Sequence, residues 1–431
     1  MRKNINVGII GYGQIGTGLV AALLDKKFEL KKKIGVAINI SAVCDKDLVK
    51  LEQAKLKNIY ICKNADELIE NKDIDVIVEL IGGIHPAEEI ILKALKNKKH
   101  VITANKALLS QSLEKICQTA NENNVNIYFE ASVGGGIPII KSLREGLVAN
   151  KIEEISAIIN GTCNFILSEM SSKGTDFKEA LKIAQAEGYA EADPSLDIDG
   201  WDSAHKIVIL SSLAYSIGVK MKDVYVEGIK NISSMDIKYC REFGYVVKLL
   251  AIAKVNKDKL RLSVHPTLLP KDYLLSQVNG SFNAIYIKGD LVGETIFYGR
   301  GAGPNPTSSA IISDLVNLVV DLKKDVNFEK IEFNPLESKL KLQSFQDVNC
   351  RYYLRIMALD SPGVLSRISG ILGSHKISIA SVMQKERAKE RAVPIVMLTH
   401  NAEEKNMEAA VKEIYKLSII KQKPVLIRIQ T

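Results

Sequence analysis

Residues 5–10, Ile-Asn-Val-Gly-Ile-Ile, alternate too little between apolar and polar positions to form a half-exposed strand; they predict one buried on both faces, as in a parallel sheet. An apolar helical pattern follows through position 24. The pairing then recurs. Strands are predicted at 39–44, 76–79, 100–103 and 126–129, with helical patterns after Pro86 and around 108–120. Strand and helix alternating over about 130 residues predict a doubly wound parallel sheet, an α/β fold.

Beyond Pro138 the rhythm changes. Helices predicted at 164–171, 177–187 and 202–215 alternate with strands at 155–159, 260–264, 283–288 and 294–298, which reads as an α+β domain with a mixed or antiparallel sheet. Residues 321–350 carry lysines and acids with little periodicity and are taken as a connection. From 351 the order is strand to 359, turn at 360–363, helix 364–374, strands 377–384 and 392–399, helix 403–415 and strand 424–430. This βαββαβ order is the ferredoxin-like arrangement. It shows no catalytic cluster, so regulation or assembly is its expected role. The expected division is 1–130, 131–320, 321–350 and 351–431, with a helix at about 307–322 packing back on the first domain.

Composition adds bounds. A chain of 431 residues is too long for one hydrophobic core. The run 207–219 lacks charged side chains but is too short to span a bilayer and contains serines. The N-terminus enters a strand pattern at once, without an apolar signal core or cleavage site, so a cytoplasmic location away from membranes is expected. Six cysteines without a C-x-x-C pair and only six histidines indicate neither a disulfide framework nor a zinc site. The net charge of +8 is spread along the chain, with lysine clusters at 31–33 and 96–99. Without interleaved aromatic residues these read as solvated faces that could attract an anionic cofactor, and no nucleic-acid partner is expected.

The chemistry starts directly after the first strand, at Gly11-Tyr12-Gly13-Gln14-Ile15-Gly16. In this G-x-G-x-x-G, Gly11 permits a tight turn, Gly13 lets backbone approach a pyrophosphate and Gly16 packs helix on strand, while the helix N-terminus offers amide donors. The second strand ends at Asp45-Lys46-Asp47, where an acid would take ribose hydroxyls and a base a 2′-phosphate, so NAD and NADP both stay open. Ligands of such sheets sit beyond the carboxyl ends of the strands. Three stretches fall there: Gly82-Gly-Ile-His85-Pro86, Thr103-Ala-Asn-Lys106, which aims a lysine at the crevice, and the glycine-rich 130–138, whose carbonyls could face a substrate or cation. Further on, Asn160-Gly-Thr-Cys-Asn164 is a polar turn capping a helix, and 299–307 a donor-rich turn that could clasp an anion or cofactor.

Residues 188–206 hold five carboxylates, one lysine and the only tryptophan. Pro194 and Gly200 mark an irregular loop, and Asp202 is placed to open a buried helix with Lys206 one turn on. Alone, this would be a solvated loop with a surface ion pair. Beside a dinucleotide site and a crevice lysine, it suggests a dehydrogenase for a small cationic substrate. Lys206 would handle the proton with Asp202 orienting it, and Glu191, Asp197 and the remaining acids would be available to an ammonium group.

The run from Ala184 through Gly188-Tyr-Ala-Glu191-Ala-Asp193-Pro194 and Asp197-Ile-Asp199-Gly200-Trp-Asp202 to Lys206 resembles the signature of homoserine dehydrogenases. Thr103-Ala-Asn-Lys106, Asn160-Gly-Thr-Cys-Asn164 and Gly301-Ala-Gly303-Pro stand in that family's order, so the similarity covers about residues 5–320. In the tail, Asp360-Ser-Pro-Gly-Val-Leu365 and Ile377-Ser-Ile-Ala-Ser-Val382 resemble an ACT domain, an amino-acid-sensing module. The resemblance implies a Rossmann-type domain, a catalytic and dimerisation domain and an ACT tail. The implied activity is NAD- or NADP-dependent interconversion of L-homoserine and L-aspartate 4-semialdehyde, on the route to threonine, methionine and isoleucine. It implies Lys206 as proton donor, Lys106 near cofactor and substrate, Glu191 and Asp202 binding homoserine, and Tyr12, Gln14, Ile15, Gly188 and Gly303 touching the cofactor. It also implies a structural sodium ion on the main chain of Glu130, Val133, Gly135 and Ile137, an amino-acid effector such as threonine on the tail, and a homodimer or homotetramer. Cys163 stands where threonine is usual, and the lysine-rich 31–33 region is this chain's own. Two rivals are another amino-acid dehydrogenase of this architecture and a non-catalytic sensor, which would have no need of Lys106, Asp202 and Lys206.

Overall fold

A computed structural model describes residues 4–324, 331, 333, 340–385 and 391–430. The connection read at 321–350 therefore lies partly outside the described residues. The chain divides into two compact units, one of Met1–Glu153, His205–Asp223 and Asn283–Lys339, the other of Glu154–Ala204, Val224–Phe282 and Leu340–Thr431.

The first unit holds the parallel sheet. Its strands are β1 (Asn4–Ile10), β2 (Ala37–Cys44), β3 (Tyr60–Cys62), β4 (Val76–Glu79), β5 (His100–Thr103) and β6 (Ile127–Tyr128), in the order β3-β2-β1-β4-β5-β6. The order reverses direction at β1, which makes the sheet doubly wound and parallel as the sequence predicts; the short edge strand β3 is not among the predicted strands. Val7, Ile9, Val76 and Val78 are fully buried, which is why these strands read as continuous apolar runs. Ile10 pairs with Cys44 and with Glu79, and Glu79 with Thr103, so the loops after β1, β2, β4 and β5 leave one edge together. The helix Pro304–Lys324 sends Ile311, Leu315 and Leu318 into the same core, as expected for a helix returning to this domain. The lysine-rich stretch before β2 is a helix, Lys27–Ile34, with no buried residue, closed by Gly35 at φ 69°. Its solvated faces hid its periodicity.

The second unit is built on a mixed sheet. Here β7 (Ile152–Ile158) pairs antiparallel with β9 (Tyr245–Asn256), which pairs antiparallel with β10 (Lys259–Pro270), while β8 (Tyr225–Val226) lies parallel to β10. The tail folds as predicted, with strands Asn349–Leu359, Ile379–Met383, Ala392–Thr399 and Val425–Ile429 and helices Val364–Ser374 and Glu404–Tyr415. Its last strand pairs with β10 at Thr267 and Arg428, so the tail extends the sheet of this unit.

Strand β9 and the helix Ser234–Glu242 before it are absent from the sequence reading. The run Val246-Val-Lys-Leu-Leu-Ala-Ile-Ala has no alternation because both faces are covered, and Lys248 interrupts its apolar character. Lys248 is 1% exposed; its Nζ donates to Asn164 Oδ1 at 3.1 Å, the Val278 carbonyl at 2.5 Å and Asn279 Oδ1 at 3.2 Å. Burial drives its pKa down to about 8. From about pH 8 to 10.5 the unfolded chain keeps this proton and the folded chain has lost it, so stability rises with pH there by roughly 1.4 kcal/mol per unit. Lys248→Met is expected to lack this slope. Denaturant titrations of both proteins from pH 7.5 to 10 check it, and parallel curves would exclude it.

Candidate active site

The first unit supplies a nucleotide cradle. Gly13 precedes the helix Gln14–Asp25 without a side-chain cap, leaving the first amides of that helix open, and a Cβ at Gly13 would meet nothing within 4 Å. Gly11 holds φ 104°, where a side chain would also run into the Leu80 backbone, and a Cβ at Gly16 would lie 2.1 Å from the Gly11 carbonyl oxygen. The three glycines thus do what their spacing predicts: turn, approach and packing. Asp45 at the end of β2 accepts from the Tyr12 amide and, at 2.9 Å, from the Asp47 amide, while Lys50 Nζ donates to the Tyr12 carbonyl at 2.7 Å.

Loops at the same sheet edge are tied by a residue that sequence reasoning passed over. Glu79, fully buried, accepts from the Ile81 amide at 2.8 Å and from Thr103 Oγ1 at 2.6 Å. Thr103 in turn accepts from the Asn105 amide at 3.0 Å, and Asn105 Nδ2 reaches the Gly83 carbonyl at 2.6 Å. Asn105 also caps the helix Lys106–Glu122, so half-buried Lys106 starts that helix in a fixed place. An acid ending a buried strand was the available signal. His85, by contrast, is exposed and bonded to Glu89 at 2.7 Å, a surface pair.

The loop 130–137 is equally constrained. Buried Glu130 accepts from the Ile140 and Lys141 amides at 2.8 Å each, and its own amide donates to Asp314 at 3.0 Å. Desolvation raises both carboxyls above their usual range. Gly135, at φ 56°, abuts Gly301, and Gly301 in turn leaves no space for a Cβ beside Asn283, so this loop and the turn carrying Gly303 pack without side chains between them.

The second unit gathers the acids. Asn160 caps the helix Gly161–Lys173, its Oδ1 accepting from the Cys163 amide at 2.8 Å. The same side chain's Nδ2 donates to Asp197 Oδ1 at 2.6 Å and Asp202 Oδ2 at 2.8 Å. One amide therefore bridges two carboxylates, with Asn160 and Asp202 buried. Thr162 Oγ1 donates to the Tyr189 carbonyl at 2.6 Å, anchoring the start of the acid-rich loop beside Gly188. Gly200 turns at φ 90° into the helix Trp201–Tyr215, on which Asp202 and buried Lys206 stand one turn apart. Glu191 is exposed, and its carbonyl accepts from Gln185 at 3.1 Å. Asp193 and Asp199 shape the loop, Asp193 by accepting from Ser195 at 2.6 Å and Asp199 by pairing with Lys230 at 2.7 Å. Asn160 was read only as a cap; the bridge was invisible because its acids lie 37 and 42 positions away.

A parallel sheet with an open glycine loop, joined to a unit that collects carboxylates and followed by a ferredoxin-like tail, defines a nicotinamide-dependent oxidoreductase. Comparison with known proteins narrows the class. The profile "Homoserine dehydrogenase, NAD binding domain" matches residues 11–130, "Homoserine dehydrogenase" residues 138–316 and "ACT domain" residues 352–418. A homoserine dehydrogenase of Neisseria gonorrhoeae is 42% identical over 100% of this chain and 99% of its own, and one of Bacillus subtilis 37% identical over 97% of each. The crystal structure of a homoserine dehydrogenase from Thiobacillus denitrificans superposes with a TM-score of 0.93 at 42% identity, covering 100% of this chain and 99% of that one. The chain belongs to the homoserine dehydrogenase family. It is an oxidoreductase of amino-acid biosynthesis that interconverts L-homoserine and L-aspartate 4-semialdehyde, as the signature at 184–206 implied. No described helix is long and apolar enough to cross a membrane.

Proposed function

We propose that the proton of this reaction passes through Lys206 and that the acid-rich loop holds the amino-acid end of homoserine. The Asn160 bridge carries this reading: two carboxylates fixed by one amide make a site for a cation, and the substrate's ammonium is one. Bound nicotinamide supplies the hydride acceptor or donor. In oxidation the hydroxyl proton goes to the neutral Lys206 amine as the C–H bond is broken; in reduction the ammonium form returns a proton to the carbonyl oxygen. Asp202 orients Lys206, Glu191 and Asp197 complete the ammonium site, and Lys106 acts near cofactor and substrate. Functionally, residues 1–130 serve the cofactor, 131–320 the substrate and assembly, 321–350 connect, and 351–431 sense an amino acid.

For the cofactor, the preference is NADP. Both carboxylate oxygens of Asp45 are engaged by backbone amides, whereas exposed Lys46 flanks it and Lys50 spends one of its three N–H donors on the Tyr12 carbonyl. A hyperthermophilic archaeal homoserine dehydrogenase, 29% identical with a TM-score of 0.64 and covering 76% of this chain and 100% of that one, is described in complex with NADPH. The glycine cradle fits either dinucleotide. With homoserine, kcat/KM for NADP is expected to exceed that for NAD about tenfold, and Lys50→Glu to reverse the order. Equal values would exclude the assignment.

The same assay tests the remaining proposals. A sodium ion on the carbonyls of Glu130, Val133, Gly135 and Ile137 fits a loop turned by two glycines at positive φ, and replacing sodium by choline should lower activity. Threonine, the effector proposed for the tail, should inhibit the full chain. A homodimer or homotetramer in the cytoplasm is the form in which we expect it to act. Activity indifferent to sodium or threonine would remove the corresponding assignment.

A further inference from the structure

Within the second unit, an arginine of the tail is paired with the segment that lies behind the acid-rich loop. Arg428, on the last strand, is 4% exposed, and each of its three guanidinium nitrogens donates a hydrogen bond. Nε donates to Glu404 Oε2 at 3.0 Å and Nη2 to Glu404 Oε1, both within the tail. Nη2 also reaches the Tyr225 hydroxyl at 3.0 Å, and Nη1 donates to Glu227. The Tyr225 hydroxyl donates to the same Glu227 oxygen at 2.9 Å, and the Tyr225 ring stacks on Phe345 at 3.7 Å. Glu227 is thus held from two sides, and its backbone amide is fixed to the Val264 carbonyl at 2.8 Å.

The three residues after Glu227 back the substrate loop. Gly228 is seated so closely that a Cβ there would lie 2.0 Å from the Ile198 carbonyl oxygen and 2.5 Å from the Asp199 Cα. The Ile229 amide donates to that Ile198 carbonyl at 2.8 Å, and Lys230 pairs with Asp199 at 2.7 Å. The strip 227–230 therefore forms the wall behind the turn 198–200, and that turn separates Asp197 from Asp202. We propose that Arg428 and Glu227 are positioning residues for homoserine: the tail's arginine fixes Glu227, and the strip carries that constraint to the spacing of the two acids that Asn160 bridges. The proposal rests on the reading that those acids bind substrate. It gives the tail a part in substrate binding with no effector present.

Glu227→Ala cuts the link without orphaning a buried cation, because Arg428 keeps both bonds to Glu404. In the full chain it is expected to raise the homoserine KM about 5- to 20-fold, with cofactor KM and kcat within twofold of the parent. Glu227→Gln, which keeps an acceptor for Arg428 and Tyr225, should recover most of the loss. A merely structural role would lower the folded fraction and apparent kcat and leave KM alone. Arg428→Lys, which retains the charge but loses the forked geometry, should share the KM effect in milder form. Asp202→Asn in the same assay separates the two ideas. If it raises the homoserine KM and Glu227→Ala does not, the positioning role is overturned and the substrate reading stands; if neither does, the substrate reading itself falls.

Discussion

Replacing Lys206 by alanine is expected to lower kcat for homoserine oxidation by about 10² to 10⁴-fold while leaving cofactor affinity nearly intact. Lys206 is buried within the helix Trp201–Tyr215, and its neighbours on that helix, Ala204, Ile207 and Val208, are buried as well. A lysine placed there for solubility would point outward, since burying an ammonium costs more than a surface pair returns. Loss of a proton acceptor strikes the chemical step, so kcat and kcat/KM for homoserine should fall together, which loss of binding alone would not produce. Cofactor affinity read by fluorescence titration gives the control. The glycine cradle lies on β1 and the helix after it, not on the helix that carries Lys206. Lys206→Arg should rescue little, because guanidinium stays protonated and cannot take the hydroxyl proton. Unchanged kcat in Lys206→Ala would remove this residue from the mechanism.

How much of this was legible in the sequence depends on the range of the contact. The parallel sheet came directly from apolar runs, since burial of both faces acts on each residue locally. The glycine loop was equally readable, because its three positions answer to local demands for a turn, an open approach and a close packing. Strand β9 was lost to one buried lysine whose acceptors lie 30 or more positions away. Glu79 and Asn160 were visible as residues but not as organisers, since each works on loops brought in by the fold. Arg428 and Glu227 lie 201 positions apart, and nothing near either announces the other. Local grammar gave the elements and the cradle; the wiring around the acids required the three-dimensional arrangement.

The acid cluster gives the second large expected effect. Asn160→Asp keeps the helix cap, because aspartate accepts from the Cys163 amide as asparagine does, so the fold should survive. The change falls on the other end of the side chain. An amide that donated to Asp197 and Asp202 becomes an acceptor facing two acceptors, and three carboxylates within hydrogen-bonding distance cannot all stay ionised. At neutral pH the acids must separate or share a proton, and kcat/KM for homoserine should fall about 100-fold. Like charges raise a carboxyl's pKa, so the proton that restores one bridging bond binds as pH falls, and the variant should regain activity relative to the parent from about pH 8 toward 5. Asn160→Ser, which retains the cap and removes the bridge, should lose activity without that recovery. The measurement is the ratio of variant to parent kcat/KM across this range. A ratio for Asn160→Asp that does not change with pH would mean that the Asn160 bridge is a structural tie and that the ammonium of homoserine is held elsewhere.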